Sequence, residues 1–169
     1  MPQVLSVANK LLSLRGAIRI TDENDNLAFE AKGEFALFSP TWTICLGDAI
    51  VATARRRIFA LRHTWDVTGQ LGAFVIKEKI LSFTRKMYVQ GGPYDGAEIS
   101  GNIFDLRFSL ERADGAVLAK AAGKILTLRD RHNIELMSQD ESDRLFTVIS
   151  MVVLQLARKS EESITDRDD

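Results

Sequence analysis

The chain repeats itself about every 23 residues, and a repeat of that length restricts the possible folds more than any other feature of the sequence. Six stretches share one pattern: a polar or basic residue, one or two apolar residues, a small or polar residue, then Leu or Phe. They lie at 10–15, 34–38, 57–62, 79–84, 102–107 and 124–129. Taking Leu12, Phe35, Phe59, Leu81, Phe104 and Leu126 as anchors, the spacings are 23, 24, 22, 23 and 22 residues. After each anchor stretch comes a second alternating segment: 17–20, 42–45, 65–67, 87–89, 108–110 and 133–136. These segments alternate with period 2 and are rich in β-branched and aromatic residues, which predicts strands. Turn-forming residues punctuate the copies at 22–26, 47–48, 69–72, 91–96 and 114–115. Two strands per copy, one at each anchor and one after it, give about twelve. A long antiparallel meander tends to close, because closure removes exposed edges.

The last segment is of another kind. Ser138–Asp143 offers capping residues and first-turn acids, and 145–157 is apolar nearly all round, with Arg158 and Lys159 suited to a helix end. A helix apolar on every side is buried on every side or sits in a membrane. Thirteen residues fall short of the about 20 that span a bilayer. Placed in a twelve-stranded sheet whose interior needs filling, the same helix becomes the core. The fold class expected is therefore mainly β: a closed twelve-stranded antiparallel barrel around one central C-terminal helix. Residues 1–159 form that domain, and 160–169 are an acidic tail expected to be disordered.

Composition excludes more than it assigns. With one cysteine, Cys45, there is no disulfide framework. The first residues, Met1–Leu5, lack the basic start and apolar stretch of a signal peptide, so a cytoplasmic location is expected, peripheral to the membrane if lipid is bound. The net charge of −1 steers the chain toward neither nucleic acid nor membrane. That balance conceals a basic middle. Residues 55–86 hold eight bases against two acids, +6, while 140–169 hold four bases against eight acids, −4.

One stretch points to a family. Gly101–Asp105, Asp114-Gly115 and Gly123–Glu135 are similar to the most recognisable part of the LURP-one-related proteins, of the tubby C-terminal-like superfamily that includes the phospholipid scramblases. The resemblance covers roughly residues 8–158. It implies the same twelve-stranded barrel around a helix, in a family many of whose members have no established activity. Tubby domains proper bind phosphoinositide headgroups through basic strand residues. That pocket does not map residue by residue onto this chain, so no site is carried over.

The candidate site comes instead from the basic middle. On a strand, Arg55 and Arg57 face one way and Arg56 the other, while Lys77 and Lys79 share a face. Adjacent repeats can gather Arg55, Arg57, Lys77 and Lys79 into an outer basic patch able to hold phosphate; solvated edge guards are the plainer account of the same residues. Other chemistry has less to support it. Asp22, Asn24 and Asn26 mimic the start of a calcium loop, but Leu27 replaces the required Gly and position twelve is Gly33, so a polar turn is expected. Cys45, His63 and His132 show no ligand spacing, and no metal site is expected. Cys45 reads as a buried, inert thiol in its strand. Asp105, Asp130 and Glu135 fall at equivalent points of the repeat, as turn and cap residues do. The Gly91–Gly96 loop has no helix after it to hold phosphate.

No catalytic residues and no cofactor are expected. The reading is a non-enzymatic protein that docks anionic phospholipid headgroups. The alternative is a protein-interaction or regulatory module using the acidic tail and loop edges.

Overall fold

Strands form where apolar and polar residues alternate, and the alternation sets which face turns inward. The computed structural model describes residues 3–8, 16–33, 40–79, 85–101, 107–121 and 131–165. The elements are β1 (Gln3–Ala8), β2 (Ala17–Thr21), β3 (Leu27–Gly33), β4 (Thr41–Leu46), β5 (Ala49–Arg56), β6 (Thr64–Gly69), β7 (Gly72–Glu78), β8 (Lys86–Gln90), β9 (Glu98–Ser100), β10 (Ser109–Glu111), β11 (Val117–Ala121), β12 (Arg131–Leu136) and α1 (Glu141–Thr165). Each strand pairs with its neighbour in the chain, and β1 pairs antiparallel with β12 from Gln3↔Leu136 to Ala8↔Arg131, which closes the barrel. Ile18 and Ile20, Trp42 and Ile44, Trp65 and Val67, and Met87 and Val89 point inward, each at most 2% exposed. Trp42 lies opposite Gly33 in the β3–β4 register, and a Cβ at Gly33 would stand 2.4 Å from the Trp42 ring. The indole therefore occupies the space that any other residue at 33 would need.

The expected fold class is what forms, with a shift of strand boundaries. All six segments expected after the anchors fall in strands, β2, β4, β6, β8, β10 and β12, apart from Phe108 just before β10. The anchor stretch 57–62 is no strand. It is the turn that joins β5 to β6, with its last backbone rung at Arg57 N to Thr64 O, 2.9 Å. The anchors Leu12, Phe35, Leu81, Phe104 and Leu126 lie outside the described residues. The partner strands β3, β5, β7, β9 and β11 instead begin at the tight turns, and β1 precedes the first anchor. Each period still contributes two strands, so the count of twelve is kept while the boundaries move. A period-2 apolar pattern cannot by itself say which segment has strand partners on both sides.

The helix fills the barrel. Asp140 caps it, its carboxylate accepting from Ser142 N at 2.8 Å and Asp143 N at 3.3 Å. Residues 145–157 are all buried, in one apolar cluster with the inward faces of the strands. Burial of its Leu, Ile, Val, Met and Phe side chains, at about 1.5–3 kcal/mol each, makes α1 the largest single element of the core. The helix does not stop at Arg158 and Lys159: it runs on to Thr165, and its last turn holds no basic residue. No described helix is long and apolar enough to cross a membrane.

The barrel thus has two ends. One carries the hairpin turns at 22–26, 47–48, 70–71, 91–97 and 112–116, and α1 enters there. The other carries the β5–β6 connection.

Candidate functional site

The site lies at the second end, where β5 runs out. Ala52 and Ala54 point inward, so Arg56 also faces inward at the barrel mouth, while Arg55 and Arg57 face out. Arg57 grips Asp66 with two hydrogen bonds, Nε to Oδ2 at 2.8 Å and Nη2 to Oδ1 at 2.6 Å. Arg55 is the cross-strand partner of Asp66. The Arg57 hydrogen bond holds the Asp66 carboxyl below its ordinary value; the charges of Arg57, Arg55 and Lys77 add to the effect, against a smaller opposing push from burial. Three of the four predicted basic residues therefore surround one carboxylate. The fourth, Lys79, stands apart: it pairs with Glu98, which also accepts from Lys86 Nζ at 2.8 Å. Lys77 donates to Gln90 Oε1 at 2.6 Å. On this outer face the cations Arg55, Arg57, Lys77, Lys79 and Lys86 outnumber the carboxylates they meet among the described residues, Asp66, Glu98 and, at longer range, Glu111.

Arg56 differs from its neighbours. It is half-buried, no carboxylate pairs with it among the described residues, and burial alone pulls its pKa below the ordinary guanidinium value. It lines a cleft of about 490 Å³ together with Arg55, Arg57, Ile58, Phe59, Ala60 and Asp66. Its lining combines three arginines and one carboxylate with three apolar residues. The loop along the cleft exposes Phe59 at 99%, Leu61 at 102% and Ile58 at 38%. Behind it, Glu78 gathers Arg85 at 3.4 Å and His63 at 3.9 Å, and its backbone oxygen accepts from Arg62 at 3.5 Å. Strand parity alone sets Arg56 on the opposite face from Arg55 and Arg57 but attaches no role to it, and the repeat pattern makes Phe59 a strand residue, which it is not.

The opposite end holds a network that sequence reading missed. Tyr94, in the glycine-rich loop, donates its hydroxyl to Asp143 at 2.8 Å, and Arg112 pairs with the same oxygen. Burial, followed by the Asp143 hydrogen bond, raises the Tyr94 hydroxyl's pKa well above its ordinary value. Burial pushes the Asp143 carboxyl up, but hydrogen bonds from Ser138, Arg112 and Tyr94 outweigh it, and the net shift is downward. The Tyr94 ring stacks on Phe146, centroids 4.0 Å apart and 7° from parallel. A single aromatic among Gly, Pro and Asp was the one available signal, and its partner lies 49 residues away.

The other candidates resolve into structural roles. Asp22 accepts from Asn24 N, Asn26 N and Asn26 Nδ2, so its oxygens are used within the β2–β3 turn. Cys45 is half-buried rather than buried, because Ile44 takes the inward position and turns the thiol outward. Glu135 sits 3.8 Å from Lys120 on the outer face. Asp105 and Asp130 lie outside the described residues. No group of three or more metal-ligating residues occurs among the described residues.

Comparison with known proteins agrees with the architecture. The family described as LURP-one-related matches residues 3–155, and the chain belongs to that family. An X-ray structure of a protein from Arabidopsis thaliana superposes with a TM-score of 0.58, at 17% identity over 89% of each chain, and so shares the fold. No curated protein matches the chain.

Proposed function

We propose that this member of the LURP-one-related family is a non-enzymatic module that docks on anionic phospholipid surfaces through Arg55, Arg57, Lys77 and Lys79. The observation that carries the reading is the gathering of Arg55, Arg57, Lys77, Lys79 and Lys86 on the outer face of β5 to β9, where they outnumber the carboxylates among the described residues. Exposed ion pairs such as Arg57–Asp66 contribute only about 0–1 kcal/mol, so lipid phosphates can share these cations at little cost. Juxtamembrane basic residues gain about 1 kcal/mol each at an anionic leaflet, and four of them suffice for reversible recruitment. On this reading the protein works at the cytoplasmic side of a membrane, the leaflet rich in anionic lipid.

Liposome co-sedimentation tests it, with neutral, phosphatidylserine and phosphoinositide vesicles at low and physiological salt. The expected result is salt-sensitive binding to the anionic vesicles alone. The variant carrying Arg55→Glu, Arg57→Glu, Lys77→Glu and Lys79→Glu should lose that binding. Equal binding by parent and variant would remove the outer face from consideration, and no binding by the parent would leave a protein partner as the better reading.

A further inference from the structure

We propose that the β5–β6 loop inserts into the bilayer: Phe59 and Leu61 enter the acyl boundary, and Arg56, in the cleft behind them, takes a lipid phosphate. This rests on the docking reading above and adds to it the point of entry and its depth.

The first support is exposure. The inward apolar residues named in the barrel wall are at most 2% exposed, yet a phenylalanine and a leucine two residues apart stand fully in solvent on one turn. Single exposed apolar residues are ordinary, but a large pair at a protruding tip marks a surface that meets something apolar.

The second is the chemistry around the tip. Arg55, Arg56, Arg57 and Arg62 bracket it on both sides. Apolar residues with flanking arginines match a membrane interface, where acyl chains lie just below a layer of phosphates. A second copy of this chain fits poorly, since it would bring two arginine-rich loops face to face. A protruding tip also suits a fluid phase, which moulds around it, better than a pre-shaped protein groove.

The third is Arg56 itself. Arg57, Arg112, Lys32, Lys79 and Lys86 each have a carboxylate partner. Arg56 has none among the described residues, although burial makes its charge the more costly to leave unmatched. The cleft it lines sets three arginines, with the one carboxylate Asp66 already held by Arg57, beside the apolar Ile58, Phe59 and Ala60, a mixture that suits an anion attached to a hydrocarbon chain.

The test is a Phe59→Trp variant mixed with vesicles whose acyl chains carry bromine. Trp42 and Trp65 are 1% and 2% exposed, so the new indole is the one within reach of the quencher. Quenching and a blue shift on anionic vesicles are expected. Phe59→Ser with Leu61→Ser should weaken vesicle binding by about tenfold or more. Arg56→Gln should weaken binding to anionic vesicles, and millimolar inorganic phosphate should leave the parent bound. Suppose the parent binds in a salt-sensitive way while the Phe59→Trp fluorescence stays unquenched and the double serine variant binds like the parent. Insertion is then wrong and outer-face docking survives. If inorganic phosphate alone binds in an Arg56-dependent way and displaces the vesicles, the cleft serves a soluble anion and insertion is again wrong. If the parent binds no vesicle at all, both readings fall together.

Discussion

The two ends of the barrel treat the same kinds of side chain in opposite ways. Where α1 enters, Tyr94 is buried against Phe146, and Asp143 joins Tyr94 to Arg112. Aromatic surface is covered there and the carboxylate has donors. At the β5–β6 rim, Phe59 and Leu61 are uncovered and a half-buried arginine has no carboxylate partner among the described residues. At the first end the buried Asp143 carboxylate and the Tyr94 hydroxyl satisfy each other, as stability requires. The second departs from that arrangement in two ways at once, and such departures concentrate where a protein meets its ligand.

The largest effect is expected in the core that both ends share. Val152→Asp places an unpaired charge at a fully buried position of α1, at a cost above about 4 kcal/mol. No cooperative unfolding transition should remain by thermal melting. A soluble, cooperative variant would show that the helix does not carry the core.

At the helix-entry end, Asp143→Ala should cost about 2–3 kcal/mol in urea unfolding, because the buried Tyr94 hydroxyl and Arg112 both lose their acceptor. Tyr94→Phe should cost about 1 kcal/mol, since the stacked ring remains and only the hydrogen bond goes. Acid should act through the same carboxyl. The Asp143 pKa is lower in the folded state than its ordinary 3.8, so its contribution is complete well above 3.8 and is lost as pH falls through the folded value. Asp143→Asn should therefore flatten the acid side of the stability profile, and a profile as steep as the parent's would deny Asp143 that role.

At the β5–β6 rim, Phe59→Ser should change stability by less than about 0.5 kcal/mol, because a residue 99% exposed loses no packing. A larger loss would mean that Phe59 is covered in solution, and the contrast between the two ends would fail.

Much of this was legible beforehand. The number of strands, the hairpin turns and the burial of 145–157 follow from the period, the turn residues and an apolar run too short for a bilayer. The parity of Arg55 and Arg57 against Arg56 follows from strand geometry and is what forms. The 57–62 stretch reads as a strand because the apolar run Ile58–Leu61 sits between two arginines, and only its missing partners show that it is a turn. The pairing of Tyr94 with Asp143 was out of reach, since nothing local links residues 49 apart. The grouping of Arg55, Arg57 and Lys77 about Asp66 needed the β5–β6–β7 register, which places residues from three strands side by side.

Local pattern was enough to require paired strands and a helix with no solvent face, since both are consequences of which residues recur at which spacing. Which apolar residues are inside was decided by closure. Once twelve strands surround α1, the interior has a fixed cross-section that the helix and the inward side chains fill, and Phe59 and Leu61, beyond the last rung of β5, are left in solvent. The same closure decided which charges are matched, because it alone set Asp143 beside Arg112 and left Arg56 at the mouth without a carboxylate among the described residues.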